Sequence, residues 1–100
     1  MSAAQRDQVV AVLRAHADEL RDLGASRLFL FGSVARGEAR PDSDVDLFLE
    51  FDDPRFSLID LLTLKYRVED VLHRPADLMT RGSLHPRLRN DIERSAVQVF

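Results

Sequence analysis

The spacing of apolar residues changes period several times along the chain, and each change predicts an element. From Ala4 to Asp22, Val9, Val10, Leu13, Ala17 and Leu20 recur at three- and four-residue spacing, with Arg6, Arg14, Asp18 and Arg21 between them. That pattern predicts an amphipathic helix whose apolar face covers a sheet. Gly24 sits just past its end, where a helix-terminating glycine belongs. Arg27 to Phe31 reads as a first strand, and the unbroken run Leu28-Phe29-Leu30-Phe31 predicts a central strand buried on both faces. Gly32 ends it. Val34 to Glu38 predicts a short helical turn closed by Gly37, and Arg40-Pro41-Asp42-Ser43 a loop.

Asp44 to Glu50 reads as a second strand. Alternation puts Asp44, Asp46 and Phe48 on one face and Val45, Leu47 and Leu49 on the other. Phe51 to Phe56 is a surface loop. Ser57 and Asp60 approximate a capping box. They open a helix that runs to about His73, with Leu58, Leu61, Leu62, Lys65, Val68, Val71 and Leu72 marking its period and its apolar positions assigned to the core. Arg74 and Pro75 stop it. Ala76 to Thr80 is a short third strand carrying Asp77, and Arg81 to His85 a loop. Pro86 fits the first position of a last helix with Leu88, Ile92 and Ala96 as its stripe. Val97 to Phe100 alternates as an extended tail.

Composition narrows the setting. A length of 100 residues predicts a single domain over 1–100 with one core. A hydrophobic fraction of 45% and a charged fraction of 31% are those of an ordinary soluble protein. Without cysteine there is no disulfide framework and no thiolate metal site. The N-terminal stretch lacks the apolar core of a signal peptide, and no apolar run approaches the ~20 residues of a membrane span. A cytoplasmic protein without a membrane partner is the expectation. The net charge of -3 disfavours a nucleic acid as substrate, because a domain that grips a phosphate backbone is normally basic. Lys65 is the only lysine, which fits a compositional bias towards arginine.

The chemistry-bearing residues lie between the strands. Gly32 lets a backbone approach a phosphate closely. Ser33 offers a hydroxyl and an N–H to phosphate oxygens, and a helix starting here would add favourable dipole charge. By itself, a Gly-Ser pair after a strand is more often a plain turn. Asp44 and Asp46 project from one face of a strand, close enough to share a cation. Magnesium takes oxygen ligands: one or two carboxylates, with substrate phosphates completing the shell. The plain alternative for such a pair is solvation at a loop edge. Asp77 stands in a short apolar strand, where an unpaired carboxylate is costly to bury. It is explained if that strand lies beside the second one and Asp77 points at the same cation, or if Arg74 or Arg81 pairs with it. Three carboxylates so placed hold two metals, or hold one and take a proton from an attacking hydroxyl.

In combination these features are far more specific. Gly-Ser, ten intervening residues, Asp-x-Asp, then an aspartate on a third strand resembles the nucleotidyltransferase superfamily that includes DNA polymerase β. The fuller pattern, Gly-Ser-x-Ala-Arg-Gly, five residues, then Ser-Asp-x-Asp-Leu, is met by Gly32, Ser33, Arg36, Gly37, Ser43, Asp44, Asp46 and Leu47. The resemblance covers nearly the whole chain. The order of elements and the small size look like the minimal nucleotidyltransferases, which consist of the catalytic core alone. It implies an α/β (α+β) fold with a small mixed sheet flanked by helices. It also implies that Gly32 and Ser33 hold the triphosphate of ATP, with Arg36 near the nucleotide. Asp44 and Asp46 would ligate magnesium, and Asp77 would ligate a metal and help to deprotonate the acceptor.

Such minimal enzymes are commonly encoded beside a small helical HEPN-domain toxin, typically an RNase. In characterised pairs the nucleotidyltransferase is the antitoxin and moves AMP from ATP to a tyrosine of the toxin. The resemblance therefore implies a HEPN-domain partner. Larger relatives carry an extra domain that presents an acceptor, and these residues provide none, which favours a protein acceptor. Two other readings compete: a binding module that silences its partner without chemistry, and transfer of AMP to a small molecule such as an antibiotic. His16, His73 and His85 are too scattered for a metal cluster. Tyr66 reads as a packing residue with its hydroxyl at the surface, and Arg87, Arg89 and Arg94 as a solvated helix face.

Overall fold

Alternation along the strand Val45–Glu50 (β2) decides the architecture. The computed structural model describes residues 3–100. In it Val45, Leu47 and Leu49 are fully buried on one face of a four-stranded sheet. Arg27–Phe31 (β1) pairs antiparallel with β2, and Ala76–Thr80 (β3) pairs parallel with it. The short strand Val97–Gln98 (β4) adds antiparallel to β1, giving the order β3-β2-β1-β4. The sheet is mixed because β3 returns through a helix, the crossover that a parallel neighbour requires.

The core lies between that face and a helical layer. Leu28 and Leu30 of β1, Val45, Leu47 and Leu49 of β2, and Ala76 and Leu78 of β3 meet Val9, Val10 and Leu13 of the first helix (α1, Ala3–Ala15). Leu64 and Val68 of the helix Leu58–Leu72 (α4) complete it. At roughly 1.5–3 kcal/mol for each fully buried aliphatic side chain, this layer is the main stabilising term.

The opposite face is different in kind. Phe29 and Phe31 are half-buried rather than enclosed, which corrects the expectation of burial on both sides of β1. They pack on Phe48, with ring centroids 4.7 Å away for Phe29 and 5.8 Å for Phe31. The segment after β3 folds over this aromatic group: a 3-10 turn at Arg81–Ser83 contacts β2, and the helix Arg89–Ser95 (α5) contacts β1.

Several boundaries differ from the sequence pattern, each for a local reason. The first helix is broken at His16, whose Nδ1 lies 2.9 Å from the Val12 carbonyl, and Ala17–Asp22 (α2) follows as a separate turn. Pro86 does not start the last helix. Residues 86–88 form a turn, with the Arg87 N–H donating to His85 Nδ1 at 3.1 Å, so α5 begins at Arg89 and Leu88 is exposed. In α4 the capping box is complete: Ser57 Oγ accepts from the Asp60 N–H and the Asp60 carboxylate accepts from the Ser57 N–H. Leu58 and Leu62, assigned to the core by period, instead join Ile59 and Tyr66 on the outer face.

Candidate active site

The sheet register assembles the polar residues that the sequence singles out. Parallel pairing sets Asp46 opposite Asp77, and antiparallel pairing sets Phe31 opposite Asp46. Residues facing one another across neighbouring strands share a face, about 4.8 Å apart. The row Phe31, Asp46, Asp77 therefore runs across the open face of the sheet, at the end where β1 stops and β2 begins. Asp44 lies just before β2 and is exposed, as is Asp77, while Asp46 is half-buried between them.

Gly32 follows β1 directly and opens a four-residue helical turn, Gly32–Ala35 (α3), two residues earlier than the sequence pattern places it. Its φ of +75° is in the left-handed region, which glycine alone enters without strain. A Cβ there would overlap the Asp46 carboxylate, so the turn is laid directly on that side chain. Val34 and Ala35 are buried and fix α3 to the core. Ser33 is half-buried beside Gly32 and its carbonyl accepts from the Glu38 N–H at 2.9 Å. The first N–H groups of such a turn have no partner within it.

The charges are unbalanced in an informative way. Burial, then repulsion from Asp77 and from Asp44, raises the Asp46 carboxyl above its ordinary value; the Arg36 cation opposes the shift without cancelling it. Arg36 is exposed, ends α3 and is held by Glu38 at 2.9 Å. Neither arginine offered as a partner for Asp77 takes that role. The Arg74 guanidinium donates to the Ser43 carbonyl. Arg81 pairs with Glu50 and with Glu93. Among the described residues, no ion pair reaches Asp77, Asp46 or Asp44. Nor do three acidic or histidine side chains close into a metal cage there; the aspartates form an open row. An oxygen-only donor set that repels itself is one that a hard divalent cation fits, with the remaining ligands coming from outside the protein. The scattered histidines form no cluster among the described residues.

A glycine-started turn over a carboxylate row, on the end of a mixed sheet, agrees with comparison to known proteins. The model of the family described as "Nucleotidyltransferase domain" matches residues 13–99. The chain belongs to the nucleotidyltransferase domain family. A Methanocaldococcus jannaschii protein assigned as a protein adenylyltransferase is 43% identical to this nucleotidyltransferase over 77 residues, 77% of this chain and 82% of the relative. Protein adenylyltransferase MntA of Thermococcus cleftensis is 33% identical over 100 residues, 99% of this chain and 100% of the relative. A solved structure described as a minimal nucleotidyltransferase superposes with a TM-score of 0.80 at 38% identity, over 97% of this chain and 98% of that one. The fold also recurs, with a TM-score of 0.65 at 19% identity over 91% of this chain and 71% of the other, in a structure of a tri-AMPylated Shewanella oneidensis HEPN toxin with its MNT antitoxin.

Two contacts beside the site escaped the sequence pattern. Glu38 holds Arg36, and its signal was only its place two residues beyond. Arg74 reaches across to the loop before Asp44, and nothing in its own neighbourhood announces that contact.

Proposed function

We propose that the chain is a magnesium-dependent protein adenylyltransferase that transfers AMP from ATP to a tyrosine hydroxyl of a HEPN-domain toxin, and so acts as its antitoxin. The observation that carries the chemistry is the Asp46–Asp77 pairing directly beneath the Gly32 turn. The likeness to protein adenylyltransferase MntA over its whole length supports the reaction class, and the AMPylated toxin complex of the same fold supports the partner.

In this reading the N–H groups of the Gly32-Ser33 turn and the Ser33 hydroxyl hold the triphosphate, and its close approach is what Gly32 permits. Arg36 lies near the phosphates and offsets their charge. Asp44, Asp46 and Asp77 hold magnesium, two ions where all three take part. When bound, magnesium neutralises phosphate charge and makes the acceptor hydroxyl easier to ionise. Asp77, exposed at the edge of the row, accepts the proton of the tyrosine hydroxyl as its oxygen bonds to the α-phosphorus and pyrophosphate departs. The protein supplies position and charge and needs no covalent intermediate. We place this activity in the cytoplasm, where ATP is plentiful; no helix among the described residues is long and apolar enough to cross a membrane.

The test is the intact mass of the HEPN-domain protein after incubation with ATP, magnesium and either wild type or Asp46→Asn. Gain of one or more AMP units with wild type alone is the expected result. An unmodified partner that is still silenced by the Asp46→Asn protein would replace catalysis by simple binding. AMP found on a small molecule and never on the partner would replace the acceptor.

A further inference from the structure

We infer that Arg74 is a positioning residue for Asp44, acting through the backbone on either side of it; this rests on the metal-holding role proposed above. Asp44 lies outside the ladder of β2, which begins at Val45. The loop before it closes on itself: the Ser43 N–H donates to the Arg40 carbonyl at 3.0 Å and the Arg40 N–H to Ser43 Oγ at 2.9 Å. Those contacts shape the turn at Pro41 and Asp42 but do not fix where it stands on the sheet.

Two bonds do, and both come from one dipeptide. The Pro75 carbonyl accepts from the Val45 N–H at 3.1 Å, and the Arg74 guanidinium donates to the Ser43 carbonyl. Asp44 is therefore bracketed, its preceding carbonyl tied to Arg74 and its following amide tied to Pro75. The same dipeptide leads directly into β3, which carries Asp77. One short connection thus sets the spacing of two carboxylates that come from different elements.

The connection is itself firmly seated. His73 ends α4 in the left-handed conformation, with φ of 55°, and its N–H donates to the Glu69 carbonyl at 2.8 Å. The Glu69 side chain accepts from the Ala76 N–H at 2.8 Å on the far side of Pro75. Arg74 is half-buried in a crevice between α1 and α4 shared with Gln5, Val9, Val12 and Leu72. Its Nε is buried without a partner, and the Ser43 carbonyl accepts from its Nη2. A guanidinium reaches from the crevice to the Ser43 carbonyl and presents its N–H donors in a rigid fork. The arrangement is that of a group which orients a metal ligand without touching the metal, and loss of such groups costs about 10–100-fold in metal affinity or activity.

Arg74→Met keeps the aliphatic stem in the crevice and removes the donor; Arg74→Gln is a second variant that cannot reach Ser43. Manganese binding to the ATP-free protein, followed by electron paramagnetic resonance, is expected to weaken by about 10–100-fold in both. The KM for ATP should stay at the wild-type value while kcat falls, because the Gly32 turn is untouched. A structural role alone would move stability and ATP affinity together and leave manganese affinity of the folded fraction unchanged. Manganese binding equal to wild type in either folded variant overturns the role of Arg74. Where ATP-free wild type holds no manganese because substrate phosphates complete the shell, the kinetic arm decides: a wild-type kcat in either folded variant overturns the role of Arg74, and full transfer by Asp44→Asn overturns the metal site itself, a separate result.

Discussion

The Asp46 carboxylate rests against the Cα of Gly32, so closely that a Cβ on Gly32 would overlap its Oδ2 and stand 3.0 Å from its Cγ. The proposed phosphate turn and a proposed metal ligand are thus packed on one another, and neither moves alone. Gly32→Ala is expected to cost about 1–2 kcal/mol from the left-handed backbone conformation, before the displacement of Asp46 is counted. Misplacement by about 1 Å at a reacting centre lowers rates by about a hundredfold. Melting curves and initial rates of AMP transfer should show both losses; wild-type activity in this variant would disconnect the turn from the site.

Asp46 makes the metal-free protein less stable at neutral pH than it need be. Its folded-state pKa is raised, so it contributes most to stability when protonated, below its unfolded value near 3.8, and that contribution is lost as pH rises through the folded value. Asp46→Asn is expected to melt above wild type at pH 7 in the presence of a chelator, with the difference closing as pH falls towards 3.8. Magnesium should raise the wild-type melting temperature more than that of the variant, since a ligand stabilises only the state it binds. A variant that melts below wild type at pH 7 would mean that repulsion does not govern this carboxylate.

Much of the site was legible in the sequence because it depends on short periods. Alternation placed Asp44 and Asp46 on the face opposite Val45 and Leu47, and the break at Gly32 marked the turn. That Asp77 stands beside Asp46 was a conditional reading: adjacency of β2 and β3 was one of two explanations for a carboxylate in a short apolar strand, and the register pairing these two residues is fixed by packing across the whole sheet. Arg74 was visible only as a candidate partner for Asp77, because its true contact is with a backbone carbonyl 31 positions away, which no side-chain pattern encodes. The outer face of α4 misled for a different reason. Its apolar residues satisfy helical spacing on both sides, so periodicity could not separate Leu64 and Val68, which are buried, from Leu58 and Ile59, which are not.

Asp44 and Asp77 are exposed, so their substitution tests chemistry with little effect on folding. Asp44→Asn and Asp77→Asn are each expected to keep the wild-type circular dichroism spectrum and to lower the rate of AMP transfer about a thousandfold, equivalent to about 4 kcal/mol of transition-state stabilisation. Full activity in either variant would remove that residue from the site.

Arg81 fastens the last segment of the chain over the aromatic face of the sheet. It pairs with Glu50 at the end of β2 and, at 2.8 Å, with Glu93 of α5, and its guanidinium lies 5.9 Å from the centroid of the Phe29 ring. The hydrogen bond from Arg81 holds the Glu93 carboxyl below its ordinary value of 4.5. A depressed carboxyl contributes stability above its unfolded pKa and loses it as pH falls through the folded value. Urea midpoints of wild type should therefore exceed those of Glu93→Gln at pH 7, and the gap should narrow below pH 4.5. Arg81→Met should lower the midpoint at pH 7 further, because it removes the cation shared by Glu50 and Glu93 and leaves Glu50 with Arg27 alone, at 3.6 Å. The carboxylate row lies at the other end of β2, where Arg81 makes no contact, so both variants should retain AMP transfer while folded. A Glu93→Gln midpoint that matches wild type at pH 7 would show that α5 is held by its apolar contacts alone.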